Sequence, residues 1–217
     1  MSEHLSADMA AEFWASQRGV SVEQVGIAPT VVGSWDLGTV RSLAGTVRAV
    51  SSPSWWWGPR FPLYNGEIGG KKVSFVNLPL GAPATVMVME ELIACGTRVF
   101  LGLGLTGSIQ PEAPVGTCFI PTSCIREEGT SPHYLSSDEG IRPAQRLVRA
   151  LEKARVKKGL VAYTGPLWTT DAVQGDGYHD RELSSTRHPR RGHGNLCNVR
   201  ARSVSECRGL QFLGSER

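Results

Sequence analysis

The segment from residue 98 to residue 133 restricts the possible folds more than any other part of this chain. Residues 99–105 form a short apolar run, which is the pattern of a fully buried strand. Glycines in and after the run leave backbone N–H groups open to a ligand: Gly102, Gly104 and Gly107. Residues 116–121 then indicate a second strand that leads into a polar loop. A buried strand ending in a glycine loop is typical of an α/β protein.

The rest of the chain alternates in the same way. Further strands are predicted at residues 27–32, 63–66, 72–77 and 160–164, and helices at residues 37–47, 82–95 and 142–158. Gly69 and Gly70 supply the turn of a hairpin between two of these strands. This alternation predicts an α/β fold, a single domain with a mixed central sheet flanked by helices and with ligand loops at the strand ends.

Composition divides the chain into three segments. Residues 1–25 are predicted to form an N-terminal arm, either an amphipathic helix or a loose segment, with Met9, Phe13 and Trp14 as its apolar contacts. Residues 26–172 are predicted to form the folded domain, and residues 173–217 a basic tail. Within the domain, the consecutive indoles of Trp55–Trp57 indicate a subunit interface, a pocket rim or a loop folded over the core.

Overall composition excludes several classes of protein. The chain is 41% hydrophobic and 20% charged, as in soluble globular proteins, and it lacks the run of roughly 18 apolar residues that a membrane span needs. The acidic, polar start does not resemble a signal peptide, so a reducing cytoplasm is the expected compartment. The five cysteines are odd in number and lack metal-site spacing, so neither a metal nor a disulfide is expected. Cys95 and Cys118 are predicted to be core thiols.

Two motifs in the central segment resemble the purine nucleoside and uridine phosphorylase family. The first is Gly104–Gly107 followed by Ile109-Gln110-Pro111, and the second combines Arg126, Gly129, Ser131 and His133. The resemblance implies a nucleoside-phosphorylase-like fold and a pentosyltransferase-type enzyme that cleaves the N-glycosidic bond of a purine or pyrimidine nucleoside. Its implied partners are a nucleoside and phosphate as co-substrate, without a cofactor, and a homo-oligomer, usually a trimer or hexamer.

The resemblance also implies a set of site residues. Gly33 takes the place of a phosphate-loop glycine, and Arg41 is the nearest guanidinium on the following helix. The implied substrate-binding residues are Thr106, Gly107, Arg126, His133, Thr170 and Asp171. The simpler alternatives are a strand-end turn at Thr106, a solvated loop around Arg126 and a helix cap at the Thr-Asp pair. No catalytic residue is assigned.

The chain departs from the family pattern at the strand before the glycine loop. Gly102 stands where the family has a phosphate-binding Arg, and Leu105 stands where a hydroxyl is usual. A bidentate guanidinium is the strongest phosphate ligand that a side chain offers. Two alternatives therefore remain open beside the phosphorylase: a nucleosidase that uses water, and a non-catalytic remnant.

The tail from residue 173 shows neither helical nor strand periodicity. It holds eight Arg and five acidic residues, whereas residues 1–172 hold 15 of each sign, so the tail carries the whole net charge of +3. A basic tail of this kind indicates nucleic-acid binding or a solvated extension, although it has few aromatic residues for contacts with bases. Nucleic acid is therefore not the expected partner.

A third interpretation of the tail concerns its reading frame. Read one base later, degenerate codons for residues 173–177 permit Tyr-Arg-Glu-Thr-Val, and those for residues 187–202 permit a stretch containing Val-Asp-Met-Glu-Thr-Ser-Ala. Both resemble motifs of the phosphorylase family, whose Met-Glu binds the ribose hydroxyls. The original frame again resembles the family after Val204. The hypothesis is that residues 173–203 are frameshifted and the C-terminus truncated.

Overall fold

The computed structural model describes residues 5–108, 115–136, 140–171 and 199–201. The α/β class is confirmed, with mixed sheets and helices. The chain divides into two compact units, Met1–Gly104 and Leu105–Arg217. The boundary lies inside the glycine loop that follows the first buried strand.

The first unit contains a mixed five-stranded sheet. Its helices are α1 (Ala7–Gln17), α2 (Leu37–Thr46) and α3 (Ala82–Ala94), and its strands are β1 (Thr30–Ser34), β2 (Val50–Ser51), β3 (Leu63–Ile68), β4 (Lys71–Asn77) and β5 (Val99–Gly102). The strand order is β2-β3-β4-β1-β5, with β1 parallel to both β4 and β5. Strands β2, β3 and β4 are antiparallel neighbours. Gly69 and Gly70 have φ angles of 57° and 76° and form the predicted hairpin turn.

Helix α1 confirms the helical alternative for the N-terminal arm, and of the three predicted contacts Trp14 lies against Trp57, with ring centroids 6.2 Å apart. Ala11 and Ala15 are the buried residues, whereas Met9 and Phe13 are more than half exposed. The helix packs on α3, and its alanines let the two backbones approach. Hydrophobicity alone therefore did not identify the alanines on which α1 packs.

The tryptophan loop is folded over the core of the first unit. Trp55 and Trp56 are buried, and Trp57 is half-buried. The indole N–H groups of Trp56 and Trp57 both donate to Oε2 of Glu91, which is 4% exposed. Burial raises the pKa of the Glu91 carboxyl, and the two indole bonds partly oppose that shift. The carboxylate of Glu91 thus anchors the loop to α3.

The second unit contains a four-stranded sheet and one longer helix in its described part. Its elements are β6 (Thr106–Ser108), β7 (Cys118–Glu127), α4 (Gln145–Lys157), β8 (Ala162–Thr170) and β9 (Val199–Ala201). The order is β6-β9-β8-β7, with β7, β8 and β9 mutually parallel and β6 antiparallel to β9. Ile141 and Leu167 are the buried centre of its apolar core.

Strands β7 and β8 run further than the sequence predicted. The sequence predicts a polar loop after residue 121 and a strand that ends at residue 164, yet Arg126, Glu127 and Trp168–Thr170 all belong to the β7–β8 ladder. Polar residues broke the apolar pattern, but the neighbouring strand satisfies their backbone groups and keeps them in the sheet. Strand β9 was not predicted either and lies in the proposed tail, the rest of which is outside the described residues.

The cysteines differ from expectation at two positions. Cys95 is a buried free thiol, and burial raises its pKa to about 12. Cys118 is also free but exposed, so the prediction of a core thiol is wrong there. Cys124 is disulfide-bonded, which contradicts the expectation that the chain has no disulfide. Among the described residues, no helix is long and apolar enough to cross a bilayer.

Candidate functional site

The second sheet aligns two of the predicted site residues, Thr106 and Arg126, in one row across its strands. Thr106 of β6 pairs with Ala201 of β9, Ala201 pairs with Thr169 of β8, and Thr169 pairs with Arg126 of β7. Neighbouring strands lie about 4.8 Å apart, so the Cα atoms of Thr106 and Arg126 are separated by roughly 14 Å. The row lies near the carboxyl ends of β7, β8 and β9, where α/β sheets bind ligands.

A hydrogen bond between side chains joins the ends of β7 and β8. The indole Nε1 of Trp168 donates to Oε2 of Glu127 at 2.7 Å. The next register pair is Glu127 with Thr170, whose side chain is buried, and Asp171 follows at the end of the strand. The backbone N–H of Asp171 donates to the carbonyl oxygen of Glu127 at 3.3 Å. The ladder therefore extends to the last residue before the loops begin.

The loop after β7 begins with a carboxylate that binds its own backbone. Both oxygens of the buried Glu128 accept from the N–H of Ser131, at 3.1 and 2.9 Å, and Oε2 also accepts from the N–H of Thr130 at 2.8 Å. These bonds start the short 3₁₀ turn Ser131–His133. Glu128 is thus a structural residue of the loop.

Two further contacts attach this loop to the strand ends. Oδ2 of Asp171 accepts from the N–H of Gly129 at 3.0 Å. The guanidinium of Arg126 donates to the carbonyl oxygens of Leu135 and Ser136, at 3.4 and 2.6 Å. Both charged side chains that the resemblance assigned to substrate therefore contact the loop in this structure.

Two hydroxyls next to these contacts are buried without a partner among the described residues. They are Oγ of Ser131, on the loop, and Oγ1 of Thr169, in the cross-strand row. Both side chains are fully buried. A buried hydroxyl without a hydrogen bond lowers the stability of the fold by about 1–3 kcal/mol. Two such hydroxyls lie beside the strand ends.

The remaining predicted residues of the second unit are placed as follows. Thr106 and Gly107 belong to β6 and are exposed, so they are strand residues and do not form the predicted loop. A Cβ on Gly107 would meet nothing within 4 Å, so packing does not require glycine there. His133 is exposed at the end of the 3₁₀ turn. The Ile109-Gln110-Pro111 motif lies outside the described residues.

Gly33 and Arg41 belong to the first unit. Gly33 is buried within β1, where an added Cβ would lie 2.6 Å from Cδ1 of Leu78 and 3.1 Å from a ring carbon of Phe100. Close packing therefore explains this glycine without a ligand. Arg41 is exposed on α2, and Asp36 is the N-cap of that helix, accepting from the N–H of Thr39 at 2.6 Å. The Thr39 hydroxyl and this backbone bond lower the pKa of the Asp36 carboxyl.

Sequence reasoning missed two features of the strand ends. The first is the side-chain bond from Trp168 to Glu127, two residues to which the sequence assigns no role. The second is Thr169, which alternates in direction with the predicted site residue Thr170 and, unlike it, has a buried hydroxyl without a partner among the described residues. Both features depend on which residues of β7 and β8 pair with each other, and the sequence alone does not show that pairing. No group of three metal-ligating side chains occurs in the described part of the chain.

Comparison with known proteins assigns the family. The sequence profile of the phosphorylase superfamily matches residues 36–192, which is well over half of the chain. The chain belongs to the phosphorylase superfamily. The match includes both compact units and extends into the segment proposed as an aberrant tail.

Curated relatives match over shorter stretches. A uridine phosphorylase of Haemophilus influenzae is 32% identical over 111 residues, or 51% of this chain and 44% of that protein. A uridine phosphorylase of Salmonella typhimurium is 29% identical over 144 residues, or 66% of this chain and 56% of that protein. A guanosine phosphorylase of Halorubrum lacusprofundi is 27% identical over 55% of this chain and 51% of that protein. This phosphorylase-superfamily chain spans about half the length of the curated relatives it matches.

Solved structures extend the likeness in fold. Purine nucleoside phosphorylase from Toxoplasma gondii has a TM-score of 0.72 at 19% identity, covering 87% of this chain and 73% of that one. AMP nucleosidase from Bacteroides thetaiotaomicron has a TM-score of 0.76 at 20% identity, covering 96% and 85%. At this level of identity the likeness shows the nucleoside-phosphorylase fold alone.

Proposed function

We propose that this chain is a nucleoside phosphorylase-type enzyme that cleaves the N-glycosidic bond of a purine or pyrimidine nucleoside. The observation that carries the proposal is the superfamily match across residues 36–192, together with the polar strand ends of the second sheet. Relatives named uridine and guanosine phosphorylases support both base classes, so the base stays unspecified. Nucleoside metabolism is the corresponding cellular role.

The chemistry defines what the site must provide. Cleavage of a C–N glycosidic bond passes through an oxocarbenium-like sugar, so the enzyme must place an acceptor oxygen at the sugar and stabilise the departing base. The proposed ligand neighbourhood in the second unit consists of Thr106, Gly107, Arg126, His133, Thr170 and Asp171. The exposed imidazole of His133 is the described side chain there best suited to a hydrogen bond with a base or sugar hydroxyl.

Phosphate is the proposed acceptor by family membership, with Gly33 and Arg41 as its proposed ligands. The residue at the end of β5 favours a second candidate, a nucleosidase that uses water. Gly102 has no guanidinium, and its register partner on β1 is Gly33. Neither β1 nor β5 therefore supplies a cation at this end of the strands. A nucleosidase uses water, which needs no anion-binding pocket, so strand ends without a cation are compatible with that reaction.

The form of the enzyme encoded by this sequence is a separate part of the proposal. We infer that residues 1–25 are an arm, that residues 26–172 hold the phosphorylase-like domain, and that the remainder is a frameshift remnant, so this form has little or no activity. The family profile reaches residue 192, and this weighs in favour of some correct frame beyond residue 172. Sequencing the gene across codons 170–205 decides between a damaged enzyme and a genuine tail.

The proposed assembly and compartment rest on the family resemblance and on the composition. We propose a cytoplasmic homo-oligomer, a trimer or hexamer; the free thiols of Cys95 and Cys118 suit a reducing compartment, whereas the disulfide at Cys124 weighs against one. Light scattering of the purified protein tests the assembly. Thiol labelling in freshly lysed cells tests the compartment, because the disulfide at Cys124 should then be largely reduced.

Base release distinguishes the two candidate reactions. Uridine, inosine and guanosine are incubated with the frame-restored protein in the presence and absence of phosphate. A phosphorylase releases base only with phosphate and forms a pentose 1-phosphate, whereas a nucleosidase releases base equally in both buffers and forms free pentose. Release of base from none of these nucleosides under either condition would contradict both candidates.

A further inference from the structure

We infer that Arg126 and Asp171 are positioning residues, which hold the loop 128–136 in place over the strand ends, and that they do not bind the nucleoside themselves. This inference rests on the proposed function, because it assigns roles within the same site. It replaces two of the proposed ligand contacts by contacts that shape the loop carrying His133.

Asp171 fixes the beginning of the loop. It follows β8, and its Oδ2 accepts the N–H of Gly129, which lies two residues beyond the end of β7. The backbone N–H of Asp171 meanwhile donates to the carbonyl oxygen of Glu127. One residue therefore binds the last residue of β7 and the second residue of the loop, and a charged acceptor makes the stronger kind of hydrogen bond.

Arg126 fixes the end of the loop. Its Nη1 and Nη2 donate to consecutive carbonyl oxygens, those of Leu135 and Ser136. A planar guanidinium is rigid, so a fork on two successive peptide groups fixes their orientation as well as their distance. The loop thus takes one N–H from each terminal nitrogen of the guanidinium, which is two of its five donors.

The interior of the loop is already ordered by Glu128. Its carboxylate binds the N–H groups of Thr130 and Ser131, so the turn is rigid between the two fixed ends. The side chains left exposed at the tip are those of Pro132, His133 and Tyr134. Arg126 and Asp171 would thus act on a nucleoside through the position of His133, and a shift of about 1 Å at such a residue is enough to lower turnover strongly.

Hydrogen exchange tests this assignment without any need for turnover. In the full chain, Asp171→Ala should speed exchange of the Gly129 amide roughly tenfold or more, because its charged acceptor is lost. Asp171→Asn should restore most of the protection, since the amide oxygen still accepts. Arg126→Ala should loosen the loop, and Arg126→Lys should restore it only partly, because one ammonium cannot reproduce the fork. Asp8→Asn and Arg142→Gln, at exposed sites, are the matched controls.

Kinetics of the frame-restored chain then separate positioning from binding. A positioning role predicts that kcat and KM change together in Asp171→Ala and Arg126→Ala, with Asp171→Asn close to the unmodified protein. If loop exchange is unchanged in both alanine variants, or if they raise KM alone, the inference is overturned. Loss of protection in a protein that cleaves no nucleoside would instead contradict the proposed function and leave the loop contacts established.

Discussion

Trp56 donates its indole N–H to the carboxylate of Glu91 at 2.7 Å, and both side chains are buried in the first unit. Trp57 donates to the same oxygen, so a single carboxylate oxygen of α3 holds two consecutive residues of the tryptophan loop. The two indole hydrogen bonds stabilise the charged carboxylate of Glu91, and its burial away from water destabilises it. Burial has the larger effect on the pKa of Glu91, so the stability of the fold depends on pH.

Replacing Glu91 by Gln should flatten that dependence. Burial raises the folded-state pKa of Glu91 above its ordinary value of 4.5. The folded protein therefore retains its proton at pH values where the unfolded chain has released it, and stability falls as pH rises from about 4.5 through the folded pKa. A neutral Gln still accepts both indole bonds but has no proton to release.

Urea unfolding at a series of pH values between about 4 and 7 checks this. The free energy of unfolding of the unmodified protein should decline across the window just above the ordinary carboxyl pKa, and that of Glu91→Gln should decline less. Glu12→Gln, at an exposed position of α1, is the matched control and should leave the slope unchanged. Parallel slopes for all three proteins would show that Glu91 does not titrate in this range.

Thr169→Val should leave the second unit as stable as before or make it more stable by about 1 kcal/mol. Valine has nearly the same shape, and the hydroxyl it removes is fully buried without a partner among the described residues. Thermal unfolding monitors the change, with Thr170→Val as the comparison because Thr170 does have a partner. A marked loss of stability on Thr169→Val would mean that the hydroxyl is bonded in the native protein.

Gly33→Ala should destabilise the first unit by about 1–3 kcal/mol. The new methyl would lie 2.6 Å from Leu78 Cδ1, and Leu78 is itself buried and has little room to move. Gly45→Ala is the control, since an added Cβ there would meet nothing within 4 Å and the residue lies in α2, where alanine is favoured. Chemical denaturation should thus give changes of opposite sign for the two variants.

Nucleoside binding should be felt at the strand ends of the second sheet. We expect NMR chemical-shift changes at Thr106–Gly107 and Thr170–Asp171 when uridine or inosine is added, since both segments lie at the edge where the proposed ligand neighbourhood is found. Shifts confined to Trp55–Trp57 would place the ligand elsewhere. The resonances of the tryptophan loop are therefore expected to stay unchanged during this titration.

Local signals in the sequence were sufficient for much of the fold. Helix α2 was predicted over residues 37–47 and forms over Leu37–Thr46, because an Asp N-cap precedes it and a regular apolar pattern follows. The Gly-Gly hairpin was equally local, since only glycine adopts two successive positive φ angles without strain. The prediction failed where pairing with a neighbouring strand determines whether a residue belongs to the sheet. Arg126 and Thr169 look like loop residues in isolation, and only the β7–β8 register keeps them in the sheet.

The candidate site was less accessible to sequence reasoning. The motif containing Arg126 and His133 is visible in the sequence. Its resemblance to a family motif implies that these residues bind a ligand, but it does not show which backbone groups of the protein they bind. Asp171 and Gly129 are 42 residues apart, and their hydrogen bond depends on the loop geometry at two strand ends. Such long-range polar contacts follow from tertiary structure and leave no local sequence signal.

The measurement that tests the account most directly is base release from a nucleoside panel by two proteins, the present chain and a version with the reading frame restored over residues 173–203. The restored frame returns the Met-Glu that the family resemblance assigns to the ribose hydroxyls. Losing such an acceptor from a site built to bind hydroxyls removes several kcal/mol of transition-state binding, with about 1.4 kcal/mol for each tenfold in rate. We expect little or no release by the present chain and clear release by the restored one. Vigorous phosphate-dependent turnover by the present chain, or a restored chain that cleaves nothing, would contradict the account.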